Sequence, residues 1–235
     1  MDALVIRQDS PQEDEFALMT LGVPSAYRAF LMPHRIGEMR YTLDQAFWLQ
    51  RPEWLETWEQ FLTGVLSRLP VGREPLILKS PNHTYRLRSI LQRFPQSKLI
   101  WIARDPATVL HSNRKMWHAM FGEYGMTPTD PVALDDFLAA ALEAAAEALR
   151  WCGASLDERQ LAVLSHRDLW EAPEASVRAL MRHLLPDHPL DEAALRVAAS
   201  RIRRPDIDSG YSDEVAYPLR LAVESLRDAY ANMRV

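Results

Sequence analysis

Residues 76–120, LILKSPNHTYRLRSILQRFPQSKLIWIARDPATVLHSNRKMWHAM, contain one arrangement twice: an apolar run, a cation, a proline, then a stretch of helical character. The first run is Leu76-Ile77-Leu78, ending at Lys79-Ser80-Pro81, and the second is Leu99 to Ala103, ending at Arg104-Asp105-Pro106. Short unbroken apolar runs suit strands buried on both faces of a parallel sheet, and the segment after Asn82 has the length of a crossover helix. The reading is β-α-β-α. Ligands of open α/β sheets collect outside the carboxyl ends of the strands, so Lys79 and Arg104 are expected at one crevice beside helix N-termini that favour anions. Two cations there point to a phosphate-like or sulfate-like ligand.

Ser112 follows Arg104 by eight residues, on the helix expected to start near Pro106 and Ala107. A guanidinium fork and a hydroxyl can grip one phosphate from two sides. The same residues are equally readable as an Arg104-Asp105 ion pair capping the helix, with Ser112 solvated.

This stretch resembles the sulfotransferases that use 3'-phosphoadenosine 5'-phosphosulfate (PAPS), in its lysine-x-proline, helix, "FP" turn, strand, and Arg-Asp-Pro followed by a serine. The likeness extends to a bacterial subgroup with PQEDEFAL, found here at Pro11 to Leu18, and to the strand and "Pro-Glu" helix of residues 161–184. It spans residues 11–185. The resemblance implies a helix-rich, three-layer α/β fold with a P-loop-NTPase-like parallel sheet flanked by helices, in one domain over 1–235. It also implies transfer of a sulfuryl group from PAPS to the hydroxyl or amine of a small-molecule or glycan-type acceptor, without a metal.

By the same resemblance Arg104 and Ser112 bind the 3'-phosphate, and Lys79 lies near the transferring group, where an ammonium stabilises charge on the leaving phosphate. His83 is either the acceptor's general base or a structural neighbour of Lys79. Arg114 is a further nucleotide contact or part of a solvated helix face. Arg204, in Arg203-Arg204-Pro205, is placed by position alone as a C-terminal phosphate contact. Glu13, Asp14 and Glu15 either serve the helix dipole in a first turn opened by Ser10 and Pro11, or supply the acceptor's base; the subgroup's motif singles out Glu13 and Glu15.

One family element has no counterpart. The opening strand and Arg-Ser-Gly-Thr-Thr-type loop that hold the 5'-phosphosulfate are missing upstream of Pro11, and no glycine precedes Gly22. Backbone amides need a permissive turn to close around a phosphate. Three expectations follow: a fragment, a loop supplied by a partner, or a noncatalytic binding or assembly protein. A P-loop nucleotide kinase is disfavoured, because no G-x-x-x-x-G-K-[ST] occurs.

Composition bounds the rest. With 235 residues, 48% of them hydrophobic, the chain can bury a sizeable core. A net charge of −5 argues against a nucleic-acid binder. The single cysteine, Cys152, excludes an intramolecular disulfide framework and fits a reducing cytoplasm. No apolar run is long enough to span a membrane, and the start of the chain lacks the form of a signal peptide. Tryptophans at helical spacing between Pro52 and Leu69 read as a packing stripe ahead of a pocket lining. Alanine-rich residues 132–152 read as a closely packed helix, and 161–165 as a third strand.

Overall fold

The structure is a computed structural model and describes residues 12–68, 75–202 and 217–233. Helix α1 (Asp14–Thr20) comes first, then 3-10 segments at Ala26–Phe30 and Pro33–Leu43, α2 (Gln45–Leu49) and α3 (Glu53–Leu66). A 3-10 turn at Pro81–Tyr85 leads into α4 (Leu87–Arg93), strand β1 (Leu99–Ala103), α5 (Pro106–Tyr124) and α6 (Pro131–Ser155). Strand β2 (Leu161–Ser165) precedes α7 (His166–Glu171), α8 (Pro173–Leu184), α9 (Glu192–Arg201) and α10 (Tyr217–Ala231).

β1 and β2 pair in parallel, Leu99 opposite Leu161 and Ala103 opposite Ser165. Both run to the same end, where Arg104 leaves β1 and His166 leaves β2. The inner face carries Leu99, Trp101 and Leu161 onto Leu87, Ala148 and Cys152. Ile100 and Ile102, on the alternate face, are 44% and 50% exposed.

Here the expected sheet departs from the observed one. Leu76–Leu78 is not a strand: its backbone is irregular, it pairs with no described residue, and Ile77 is 81% exposed. An apolar run is buried on both faces only if neighbouring strands and helices cover it. Among the described residues no partner lies beside this one, so the sheet observed there has two strands, β1 and β2, with α4 and α6 packed on the face that carries Leu99, Trp101 and Leu161. The crossover after Asn82 is also split: a 3-10 turn gives way at Arg86 to α4. α5 runs on through Gly122 to Tyr124.

Most burial is helix against helix. α6 is the axis of the main core: Leu134, Phe137, Leu138, Leu142, Ala146 and Leu149 meet Leu110, Trp117 and Phe121 of α5 and Leu219, Ala222, Val223 and Leu226 of α10. Its alanines allow the approach, since Ala146 and Ala222 are fully buried where the two helices meet. A second core gathers Leu18 of α1, Trp48 of α2, Trp54, Leu55 and Trp58 of α3, and Ile90 of α4. The tryptophans therefore pack a core.

The second core holds α1 in place. Its short helix ends at Gly22, whose φ of +95° suits a residue without a Cβ. The amides of Gly22 and Val23 close back on the carbonyls of Met19 and Leu18 at 3.2 and 2.9 Å, a Schellman ending that turns the chain toward Tyr27. Among the described residues no helix is long and apolar enough to cross a membrane. Residues 1–11, where an edge strand or loop and the Ser10-Pro11 cap are expected, lie outside the described residues. So do residues 69–74 and 203–216, and with them Arg203 and Arg204.

Candidate active site

Three consecutive acids at the start of α1 meet three basic residues of the Lys79–Arg86 segment, one to one. Glu13, in the cap position of α1, is ion-paired with the exposed Lys79 and accepts a hydrogen bond from the Tyr27 hydroxyl at 3.3 Å. Asp14 Oδ2 faces His83 Nε2 at 2.9 Å and accepts from the Trp58 indole N–H at 2.7 Å. Glu15 takes both arms of the Arg86 guanidinium, at 2.7 and 3.1 Å. Lys79 precedes the 3-10 turn, His83 lies on it and Arg86 caps α4 at its exit, so the three bases reach α1 from one short segment of chain.

The three pairs grade from wet to dry. Lys79 is 74% exposed while Arg86 and Glu15 are 1% and 0% exposed. Arg86 also donates to the Pro24 carbonyl at 3.1 Å and lies over the Trp48 ring, 4.1 Å from its centroid. A charge this deep is tolerable only when paired and hydrogen-bonded. Glu15 is thus a structural anchor in this arrangement, with Glu13 at the solvent edge beside Lys79.

Burial pushes the Asp14 carboxyl up, but the hydrogen bond and charge of His83, the Trp58 donor and the Arg86 charge outweigh it. The net direction is down, so Asp14 is a carboxylate. Tyr27 goes the other way: burial, then the charges of Glu13 and Glu15, hold its hydroxyl well above the ordinary tyrosine range. It is a donor and not a base.

The Pro81–Tyr85 turn carries polar atoms with nothing to bond. Ser80 Oγ, Asn82 Nδ2 and His83 Nδ1 are buried without a hydrogen-bond partner among the described residues, as is Asp14 Oδ1. Each such atom costs about 1–3 kcal/mol unless something fills the gap.

The second candidate region is the carboxyl end of β1. Asp105 caps α5, accepting from the Thr108 amide and hydroxyl, both at 2.9 Å, and pairs with Arg227 of α10 at 3.0 Å. Asp105 is therefore matched to Arg227, while the Arg104 guanidinium has no carboxylate partner among the described residues. Arg104's charge is felt at β2: burial and this cation hold His166 below the usual histidine range. Ser112 stands exposed on α5, and Arg114 is committed to Asp135 of α6 at 2.9 Å. Tyr27, which donates to Glu13, stacks 4.9 Å from Phe30, and Phe30 lies 4.7 Å from Trp117 in the middle of α5.

The end of β1 offers a guanidinium without a carboxylate partner among the described residues and, on the next helix, an exposed hydroxyl; the contact of α1 with the Lys79–Arg86 segment offers an ammonium paired with Glu13 and buried polar atoms without a partner among the described residues. Among the described residues no group of three or more His, Cys, Asp and Glu side chains is placed to hold a metal ion. The open clefts lined by Lys98, Arg159 and residues 184–188, and by Glu56, Glu59, Gln60 and Thr63, contain none of these candidates.

Sequence reasoning brought Lys79, His83, Glu13 and Glu15 forward separately; their assembly around Asp14 and Arg86 was missed, as was Arg227. The one local signal was the run of three successive acids, which does not say what they meet. Arg227 had none, being 122 residues from Asp105.

Comparison with known proteins agrees with the motifs. A family model described as "Sulfotransferase family" matches residues 7–189. The omega-hydroxy-beta-dihydromenaquinone-9 sulfotransferases Stf3 of Mycobacterium bovis and Mycobacterium tuberculosis are each 30% identical over 187 residues, covering 78% of this chain and 47% of theirs. The chain thus spans about half the length of these curated relatives. No solved structure matches. With a family model covering more than half of its residues and its characteristic blocks in order, the chain belongs to the sulfotransferase family.

Proposed function

We propose that this chain carries the nucleotide-binding and sulfuryl-transferring residues of a PAPS-dependent sulfotransferase acting on a hydroxyl acceptor. The observation that carries this reading is the pairing of Lys79 and His83 with the adjacent acids Glu13 and Asp14, which brings a cation, a candidate base and two carboxylates together where the start of α1 meets the Lys79–His83 segment. PAPS, when bound, supplies the activated sulfuryl group and a phosphate leaving group. Arg104 and Ser112 hold the 3'-phosphate. Lys79 leaves Glu13 to neutralise the charge that develops as the sulfur–oxygen bond breaks. Glu13 or His83 takes the acceptor's proton. The protein then contributes placement and fixed charge, and no covalent enzyme intermediate is needed.

The two mycobacterial relatives are named for an omega-hydroxy group on a dihydromenaquinone. A hydroxyl acceptor is therefore the first class to test for this chain, ahead of amines and glycans. A single domain and a cytoplasmic setting fit a PAPS enzyme and a lone buried thiol, Cys152, whose pKa burial pushes up to about 12.

Two measurements test the reading. Calorimetry with 3'-phosphoadenosine 5'-phosphate (PAP) should show one site, weakened in Arg104→Ala. Radiolabelled PAPS with decan-1-ol as a terminal-hydroxyl probe should give an alkyl sulfate. Nucleotide binding without transfer to this probe or to phenol and sugar probes would favour a noncatalytic binding protein, and absence of nucleotide binding would overturn the reading.

A further inference from the structure

The geometry points to Asp14 as a positioning residue that fixes the tautomer of His83, so that His83 Nδ1 takes the proton of the acceptor hydroxyl. This rests on the sulfuryl-transfer reading above and goes further, because it chooses the base and adds a residue to the machinery.

Asp14 Oδ2 sets the tautomer. A carboxylate has no proton to give, and this oxygen already receives the Trp58 indole N–H at 2.7 Å. The contact from His83 Nε2 at 2.9 Å must then be a second donation, so Nε2 bears the hydrogen. In the neutral ring the lone pair is left on Nδ1. Nδ1 is buried and has no partner among the described residues. A structural histidine ordinarily uses both nitrogens. Here the nitrogen that can accept is the one left unmatched, in a turn where Ser80 Oγ and Asn82 Nδ2 are also unmatched.

The ring is held on a third side by Trp58, whose centroid is 5.0 Å away. Asp14 is fixed in turn by α1 and by Trp58 on α3. A carboxylate that orients an imidazole also stabilises the imidazolium formed when the other nitrogen gains a proton. The step balances. The acceptor oxygen forms a bond to sulfur as its proton passes to Nδ1. The sulfur–oxygen bond to the 5'-phosphate breaks with its electron pair on the phosphate, and the Nδ1 proton later leaves to water.

Glu13 is the competing base, but it is engaged twice, by Lys79 and by the Tyr27 hydroxyl. Glu15 is closed off by Arg86.

Two readouts test the assignment on the full chain. In nitrogen-15 spectra of the unmodified protein, assigned by comparison with His83→Gln, His83 should carry its hydrogen on Nε2 with Nδ1 bare. A hydrogen on Nδ1 would overturn the proposal, and this spectrum needs no variant of Asp14 to fold. In the transfer assay, Asp14→Asn keeps the side-chain shape but removes the charge. It should lower kcat by about 10²-fold and leave KM for PAPS within about twofold. His83→Ala should do the same, and the double variant should be no slower than either, as residues acting as one unit are non-additive. Losses that multiply, or a change confined to KM, would reject the dyad. If the wild-type chain neither binds PAP nor transfers, the sulfuryl-transfer reading has failed, and the proton position on His83 still decides the Asp14 assignment.

Discussion

Arg86 and Glu15 form a two-pronged ion pair shut off from solvent, with side chains 1% and 0% exposed and tryptophan rings over the guanidinium. It joins α1 to the start of α4, and so fixes where Glu13 and Asp14 stand against Lys79 and His83. Removing one partner strands the other charge in a dry core. Either Glu15→Ala or Arg86→Ala should cost about 3–5 kcal/mol of stability, measured by urea denaturation. PAP binding at low temperature, where the variants still fold, should be nearly unchanged if Glu15 is an anchor. A stable Glu15→Ala protein that has lost only turnover would put Glu15 in the chemistry instead.

Lys79 and Glu13 compete with any anionic ligand for each other. Lys79→Ala should slow transfer by about 10²-fold or more with little loss of stability, because exposed ion pairs contribute about 0–1 kcal/mol. Glu13→Gln frees the ammonium and should tighten PAP or PAPS binding by several-fold. Calorimetry on the two variants separates the roles: weaker binding in Glu13→Gln would show that Glu13 is not a competitor for Lys79.

Much of this is legible in the sequence. The run Leu99–Ala103 and the Asp-Pro after it announce strand β1 and the start of α5, because proline at a helix's first position and an aspartate cap are local rules. Strand β2 and the alanine-rich helix α6 were equally local. The run Leu76–Leu78 looked the same and is not a strand, since strand pairing depends on a neighbour that composition does not reveal. The acid–base assembly was hidden for a related reason: Glu13 and Lys79 are 66 residues apart. Spacing along the chain carries information about one helix face, and little about which faces meet.

Arg104 should act on affinity. Its guanidinium lacks a carboxylate partner among the described residues, whereas neighbouring Arg227 is tied to Asp105 and Arg114 to Asp135. Arg104→Ala should therefore weaken PAP by about 10- to 150-fold, the loss expected for a charge-assisted contact of about 1.5–3 kcal/mol. Ser112→Ala should lose less and Arg114→Ala least, because Arg114 already has its partner. Titrations at two salt concentrations sharpen the comparison. An Arg114→Ala effect equal to that of Arg104→Ala would move the phosphate site along α5.

Asp14 and Asp105 both make the fold sensitive to acid. For Asp14, burial is outweighed by His83, Trp58 and Arg86; for Asp105, burial is outweighed by the Thr108 amide and by Arg227, and both carboxyls end below the ordinary aspartate range. A group whose folded pKa is depressed contributes stability that is complete above its unfolded value, about 3.9, and drains away as the pH falls through that value toward the folded one. Urea midpoints should thus be flat from about pH 7 to 5 and fall steeply below about pH 4. Asp14→Asn should start lower and fall less, because its amide has no proton to gain. An equally steep acid limb in Asp14→Asn and in the parent chain would assign the acid sensitivity to other carboxylates and remove the electrostatic case for a charged Asp14 beside His83.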